Sequence, residues 1–159
     1  MAKLLVAPVS AGLDVAAASK AFAQALGAQV FQPLDASAET LLAQGKSDDW
    51  FDAVVGKAVA LNTDNLVIEG IAPEADKLFL SGKNVELALS LDAGVVLALQ
   101  SDSADAAEVA HRINLAKQLY TNAPGLLEGF IIEGAAASVG EEVARLTGLT
   151  FYGSSSALK

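Results

Sequence analysis

The sequence predicts an α/β protein with a doubly wound, mostly parallel sheet of five to six strands and helices on both of its faces. Short, nearly continuous apolar runs, such as residues 3–8, 65–71 and 127–133, are typical of strands covered on both faces. Stretches with apolar residues at helical spacing alternate with these runs, and that alternation favours a parallel sheet. A length of 159 residues fits one domain.

Each predicted element has its own signal along the chain. The first helix has apolar residues three or four apart, and Gly27 supplies its C-terminal stop. Residues 47–49 form a capping sequence for the second helix. In chain order, the predicted strands are 3–8, 28–31, 65–71, 95–99, 127–133 and, as the sixth, 149–152. The predicted helices are 15–26, 47–61, 84–91, 101–120 and 139–146.

Two of these helices have apolar stripes that predict a core-facing side. One stripe comprises Phe51, Val54, Val55, Ala58 and Leu61, and the other comprises Val109, Ile113, Ala116 and Leu119 or Tyr120. Residues 101–103 (Ser-Asp-Ser) are expected to begin the longest helix. Trp50 precedes the first stripe and could be an anchor at an interface with another protein.

The organisation of the chain predicts one folded unit with a short tail. Residues 1–152 are expected to form the α/β domain. Residues 153–159 (Gly-Ser-Ser-Ser-Ala-Leu-Lys) are mostly small and polar, so they are interpreted as a linker to a missing C-terminal domain.

Composition excludes several classes of function. A net charge of −9 and a pI near 4.4 disfavour nucleic acid, because an acidic surface repels phosphate. The chain has no cysteine and one histidine, which excludes disulfides, thiol nucleophiles and His-rich metal centres. Charged residues interrupt every apolar stretch before it reaches the roughly 18 residues of a membrane span. The N-terminus lacks the pattern of a signal peptide, so a cytoplasmic location is predicted.

The turn after the first strand is where an anion would bind in such a sheet. Backbone N–H groups and the helix dipole favour an anion there, and a working phosphate loop reads Gly-x4-Gly-Lys-Ser/Thr. Here Gly12 is followed by Leu13 and Asp14. A carboxylate about 4 Å from a phosphate charge is repelled by about 4 kcal/mol at an effective dielectric of 20. Asp14 is therefore interpreted as a helix N-cap, although a magnesium ion could bridge it to phosphate.

Other polar residues each allow two interpretations. Glu69 ends the third strand, where it could organise a magnesium ion or act as a base, or could accept backbone N–H bonds. His111 lies off the core stripe and is expected to be solvated. The acidic cluster, which comprises Asp102, Asp105 and Glu108, is expected to serve the positive end of a helix dipole, with a divalent-cation site as the alternative. Residues 133–138 could line a pocket or form an ordinary loop.

Four segments together resemble a known family. They are residues 9–14, residues 30–34 (Val-Phe-Gln-Pro-Leu), residues 66–70 (Leu-Val-Ile-Glu-Gly) with Pro73, and the stretch from 84 to 132. In this order they resemble the N-terminal domain of bacterial phosphate acetyltransferase, which is itself similar to dethiobiotin synthetase and the cobyrinate amidotransferases. The resemblance implies a P-loop type of fold over most of the chain.

The resemblance also implies which residues would form a nucleotide site. In active members of the wider superfamily, the domain binds ATP and magnesium and activates a carboxyl group. The positions of the loop lysine and hydroxyl are Leu13 and Asp14 here, a second lysine position is Gln32, and Glu133 begins the pair expected to read adenine. Ser10, Gly12, Asp14 and Glu69 then make up a vestigial nucleotide site. We expect no catalytic residue, metal or cofactor.

The resemblance therefore favours a non-catalytic regulatory or assembly domain of a phosphate acetyltransferase, an enzyme of acetate metabolism. The parent reaction, acetyl-CoA plus phosphate to acetyl phosphate plus CoA, would belong to a C-terminal domain that is absent here. That domain is the expected partner, together with further copies of the chain in a homo-oligomer. No nucleic acid or membrane partner is expected. The alternatives are an ATP- and magnesium-dependent ligase similar to dethiobiotin synthetase, and an orphan interaction domain.

Overall fold

The computed structural model describes most of the chain. It describes residues 2–9, 15–31, 40, 43–60, 65–70, 83–91, 93–101, 105–120, 126–134, 137–154 and 157–158. The strands are β1 (Ala2–Pro8), β2 (Gln29–Phe31), β3 (Asn65–Glu69), β4 (Gly94–Gln100), β5 (Leu127–Glu133), β6 (Thr150–Phe151), β7 (Gly153–Ser154) and β8 (Ala157–Leu158). The helices are α1 (Val15–Leu26), α2 (Ser47–Ala60), α3 (Lys83–Leu91), α4 (Ala106–Lys117), which runs into a 3₁₀ turn (Gln118–Tyr120), and α5 (Ala137–Thr147).

The main sheet has six strands in the order β2-β3-β1-β4-β5-β6, and all of its pairings are parallel. This confirms the predicted doubly wound α/β class. Only the connection from β1 to β2 moves toward one edge of the sheet, whereas the later connections move toward the other edge. Because such crossovers are right-handed, α1 is expected on the opposite face from the helices that follow.

Two separate apolar clusters show this division into faces. Residues of α1 pack in one cluster against the inner strands, and that cluster comprises Val6, Ala18, Phe22, Ala23, Val67, Val96, Ala98 and Ile131. The other cluster contains Leu5, Leu97 and Phe130 of the sheet with buried residues of α2, α3, α4 and α5. No helix in the described part of the chain is long and apolar enough to cross a membrane.

Several predicted boundaries and stripes are confirmed. Helix α1 ends at Leu26, and Gly27 follows with φ 64°. The N–H of Ala28 donates to the carbonyl of Ala23 at 2.8 Å, which closes the helix end. In α4, Val109 and Ile113 are fully buried, and Tyr120 completes the stripe at 2% exposure.

Other predictions about the helices were wrong. The α4 helix begins at Ala106 rather than at Ser101. It was expected to be the longest helix, but among the described helices α2 is longer. Val55 does not belong to the core stripe of α2, because 37% of its surface is exposed. Trp50 occupies the core instead, 1% exposed and in ring contact with Phe51 at 4.8 Å between centroids. It is therefore not available as an interface anchor.

After β6 the chain turns back across the α1 face. The N–H of Tyr152 donates to the carbonyl of Phe130 at 3.0 Å, and its ring lies directly over Gly129. The same ring meets Phe22 of α1 edge-on, with 6.3 Å between centroids. Strands β7 and β8 then pair antiparallel, with β7 beside β5 and β8 beside α1. The described part of the segment predicted as a linker thus forms a hairpin against the domain.

Candidate functional site

The candidate site lies at the carboxyl edge of the sheet, on either side of β1. The chain leaves β1 toward the α1 face, whereas it leaves both neighbouring strands, β3 and β4, toward the other face. Diverging connections of this kind leave a crevice outside the strand ends, and ligands of open α/β sheets bind there. The sequence-predicted turn after β1 belongs to this edge.

Most of the residues predicted for the nucleotide site lie outside the described residues. These are Ser10, Gly12 and Asp14, together with Leu13 and Gln32, the positions at which lysine and hydroxyl contacts are replaced. Their assignment remains a prediction from sequence. Glu69 and Glu133 are the two candidate residues of this edge that the structure describes.

Glu69 is the last residue of β3 and pairs in parallel register with Val6 of β1. Its side chain is half-buried. It therefore lies beside the strand that leads into the predicted turn, where a carboxylate could face a ligand in the crevice. This position is compatible with both interpretations of Glu69, the ligand-facing acid and the acceptor of backbone N–H bonds.

The residue after Glu69 is held against β1. The N–H of Gly70 donates to the carbonyl of Val6 at 2.9 Å, which extends the β3–β1 ladder by one step. A Cβ at Gly70 would overlap that carbonyl oxygen and would lie 3.1 Å from the Cα of Ala7. Only glycine permits this close approach of two backbones, so the Glu-Gly pair has a structural reason that is independent of any ligand.

Glu133 is the last residue of β5. It pairs with Gln100 of β4, and its carbonyl accepts the N–H of Ser101 at 2.9 Å. Gly134 follows with φ 93°, and a Cβ there would lie 3.1 Å from the carbonyl oxygen of Ser101. This hydrogen bond therefore joins the ends of β4 and β5 at the position where the resemblance implies contacts to adenine.

The strand order separates the two carboxylates. β3 and β5 are three strand positions apart in the sheet. Along the register, Glu69 pairs with Val6, and Val6 pairs with Val96. Val96 in turn pairs with Gly129, four residues before Glu133. Since neighbouring strands are about 4.8 Å apart and each residue of a strand rises about 3.3 Å, the backbones of Glu69 and Glu133 are separated by about 19 Å. One metal ion cannot be coordinated by both side chains at that distance. Among the described residues no group of three or more His, Asp or Glu side chains could hold a metal ion.

The remaining candidate residues have structural roles or are exposed. Asp105 is the N-cap of α4, because its Oδ1 accepts the N–H of Ala107 at 3.0 Å and that of Glu108 at 3.4 Å. This confirms the helix-dipole interpretation for Asp105, whereas Asp102 lies outside the described residues. His111 is exposed, as predicted.

The sequence contains one signal of this edge that the residue-by-residue interpretation missed. Both β3 and β5 end in Glu followed by Gly, at positions 69–70 and 133–134. Each glycine lies against a neighbouring strand, at Val6 in one case and at Ser101 in the other. A repeated Glu-Gly at the ends of two apolar runs indicates close backbone approach at the carboxyl edge.

The fold and this edge define a class: a doubly wound α/β protein with a crevice at the carboxyl edge of its first strand. No protein-family model matches the chain. The chain is 31% identical to the phosphate acetyltransferase of Deinococcus radiodurans over 102 residues, which are 62% of this chain and 14% of that protein. It is 32% identical to the phosphate acetyltransferase of Haemophilus influenzae over 108 residues, which are 65% of this chain and 15% of that protein.

These matches relate the chain in sequence to phosphate acetyltransferases. The matched part is small on their side, because the alignments span only 14% and 15% of those proteins. An activity of a whole relative thus does not follow for this chain from the alignments.

Proposed function

We propose that this chain is a non-catalytic regulatory or assembly domain that corresponds to the N-terminal part of a phosphate acetyltransferase. The observation that carries the proposal is the pair of alignments, which cover most of this chain and about one seventh of each relative. The acetyl transfer itself, from acetyl-CoA to phosphate, would be carried by a C-terminal domain of the parent enzyme. That domain, and further copies of the chain, are the partners we propose.

The chemistry of the carboxyl edge supports a non-catalytic role. Phosphoryl transfer depends on positioning and on neutralising charge. The sequence has Leu13 and Gln32 where lysines would neutralise phosphate, and Asp14 adds a negative charge. Glu69 and Glu133 are too far apart to share a cation. The alternative of an ATP- and magnesium-dependent ligase would have to work without these contacts.

Calorimetric titration of the chain with ATP and magnesium tests this proposal against the ligase. We expect no binding at concentrations up to about a millimolar, which corresponds to a binding free energy weaker than about −4 kcal/mol. Micromolar affinity would contradict the degenerate-site interpretation. The double variant Leu13→Lys with Asp14→Thr is the positive control, because it replaces both lost contacts, and we expect it to gain affinity.

The relation to acetyl transfer is tested separately. The isolated chain is expected to release no CoA from acetyl-CoA in the presence of phosphate. The gene downstream of Lys159 is expected to encode an acetyl-transferring domain in the same reading frame. A stop codon there would favour the alternative of an orphan interaction domain. CoA release by the chain alone would refute the non-catalytic role.

A further inference from the structure

The last described residues of the chain lie on the α1 face of the sheet. After Tyr152 the hairpin crosses this face, with β7 beside β5 and β8 beside α1. Leu158, the last residue of β8, pairs with Gly153, the first residue of β7. Any chain that follows residue 158 therefore starts next to α1, and not from the face of α2, α3, α4 and α5.

Helix α1 is a firm support for a contact on its outer side. It packs on β1, β2 and β3, and its inner side buries Ala18, Phe22 and Ala23. The ring of Phe22 also meets that of Tyr152, the residue before the hairpin. Helix and hairpin are thus neighbours on an ordered surface, which a partner can contact without the cost of ordering a loop.

The outer face of α1 has no acidic residue, although the chain has 19 acidic residues and a net charge of −9. Every helix of the opposite face exposes at least one carboxylate. Covering a carboxylate removes it from water at a cost of several kcal/mol, whereas alanine has no side-chain entropy to lose and lysine can extend to the rim. The exposed and described residues of α1 are Ala16, Ala17, Lys20, Gln24 and Ala25, and the exposed acids of the opposite face include Asp48, Asp49, Asp52, Glu86, Glu108 and Glu141.

The described helices of the opposite face also expose large apolar side chains, but these are single. There is one in each helix, and each of these helices has an exposed carboxylate as well. Single exposed apolar residues are common on protein surfaces and do not indicate a partner. They are Val55, Leu89, Leu115 and Leu146.

We propose that the C-terminal domain of the parent enzyme packs against the outer face of α1, the face defined by Ala16, Ala17, Lys20, Gln24 and Ala25. This inference rests on the proposed function, because it requires that such a domain follows the chain. Two observations carry it: the chain reaches the side of α1 at its last described residues, and α1 has the helical surface that can be covered at the lowest electrostatic cost.

The size of this face indicates a contact that depends on the covalent link. Helix α1 has 12 residues, so its outer face is about 18 Å long and about 10 Å wide. That area of about 180 Å² is well below the roughly 800 Å² per partner of a stable complex between separate proteins. A domain that is linked through a short segment has an effective concentration in the millimolar range, at which a small contact is populated.

Site-specific thiol labelling tests the contact, since the chain has no cysteine of its own. Ala17→Cys and Gln24→Cys place thiols two turns apart on the outer face of α1. Each is labelled with a maleimide in the 159-residue chain and in the parent enzyme, and the rate is read from the mass of the peptide. We expect both thiols to react about tenfold more slowly in the parent enzyme, because a tethered contact leaves each thiol accessible only in its open fraction.

Ala53→Cys is the matched control. Ala53 is an exposed alanine of α2, on the opposite face, so its labelling rate should be equal in the two proteins. Unchanged labelling at position 17 or 24 would overturn the contact along α1, and so would equal slowing at position 53. Labelling of the isolated chain that slows as its concentration is raised would mean that a second copy covers α1, which would also overturn the proposal.

Failure of this inference can be distinguished from failure of the proposed function. If the reading frame does not continue into an acetyl-transferring domain, the proposed function fails before any labelling is done. If it does continue and the thiols on α1 react equally fast in both proteins, the domain packs elsewhere or not at all, and only the docking surface is refuted.

Discussion

In the Glu-Gly pair at the end of β3, one residue is a candidate for a chemical role and the other is required by packing. The acid at position 69 is compatible with a ligand role, but the glycine at position 70 is required because β3 approaches β1 too closely for a side chain. The placement of Glu69 near a strand end could be predicted, since the apolar run of residues 65–71 ends two residues later. Its distance from Glu133 could not, because it depends on the strand order, which the sequence pattern leaves open.

Gly70→Ala is expected to destabilise the chain by about 3 kcal/mol, because the added methyl overlaps the backbone of Val6 and β3 must shift. Gly56→Ala is the matched control. Gly56 lies in α2, is exposed and has nothing within 4 Å of an added Cβ, so the same change should stabilise by about 0.5–1 kcal/mol. Urea unfolding followed by the fluorescence of Trp50, the chain's one tryptophan, measures both. Equal effects of the two variants would contradict the close approach at Gly70.

The buried phenol of Tyr120 predicts how stability depends on alkaline pH. Burial raises its pKa from the usual 10.0 to about 12. The unfolded chain loses this proton first, so the stabilisation is complete below pH 10 and is lost as the pH rises toward 12. The loss amounts to about 3 kcal/mol.

Unfolding by urea at a series of pH values, compared between the chain and Tyr120→Phe, isolates this contribution. The free energy of unfolding of the chain should fall relative to that of Tyr120→Phe as the pH rises above 10, because only the chain with Tyr120 loses the stabilisation. Tyr152, whose pKa is raised by partial burial and then by the charge of Glu128, contributes in both proteins and cancels in the comparison. A difference that stays constant across this pH range would show that the phenol of Tyr120 ionises normally.

At the scale of elements, the order of strands and helices could be predicted, but several contacts of helix ends and faces could not. Residues 101–103 and Asp105 are all acceptable helix caps by residue type. Ser101 instead extends the β4–β5 ladder, and Asp105 accepts the first N–H groups of α4. For α2, Val54 faces the core as predicted, but Trp50 does so in place of Val55. Because α2 has one apolar residue more than a single stripe needs, two rotations of the helix about its axis are compatible with the sequence. The tertiary contacts select one of them.

A side chain from α4 caps the end of α5, and this pairing also requires the tertiary structure. The Nζ of Lys117 donates to the carbonyl of Thr147, the last residue of α5, at 2.9 Å. Lys117→Met keeps the aliphatic stem but removes the ammonium, so we expect a loss of about 1.5–3 kcal/mol, the range for a hydrogen bond to a charged group. Lys20→Met, at an exposed position of α1, should change stability by less than about 0.5 kcal/mol. Similar losses in both variants would indicate a general effect of charge rather than this cap.

The whole molecule is a sheet with α1 on one face and α2, α3, α4 and α5 on the other, and the sequence alone did not reveal this division. The apolar strands indicate burial on both sides, but only the strand order shows that the first crossover differs in direction from the later ones. The same order places the candidate crevice beside α1.

Tyr152 joins α1 to the sheet, since its ring contacts both Gly129 of β5 and Phe22 of α1. In Tyr152→Ala we expect the two spectroscopic probes of unfolding to separate. Far-ultraviolet circular dichroism should lose the signal of α1 at lower urea concentration, whereas the fluorescence of Trp50, on the opposite face, should report the later loss of the sheet. Tyr152→Phe keeps the ring and should leave the two transitions coincident. If both probes give one midpoint in Tyr152→Ala, the two faces unfold together, and the ring of Tyr152 is not what couples α1 to the sheet.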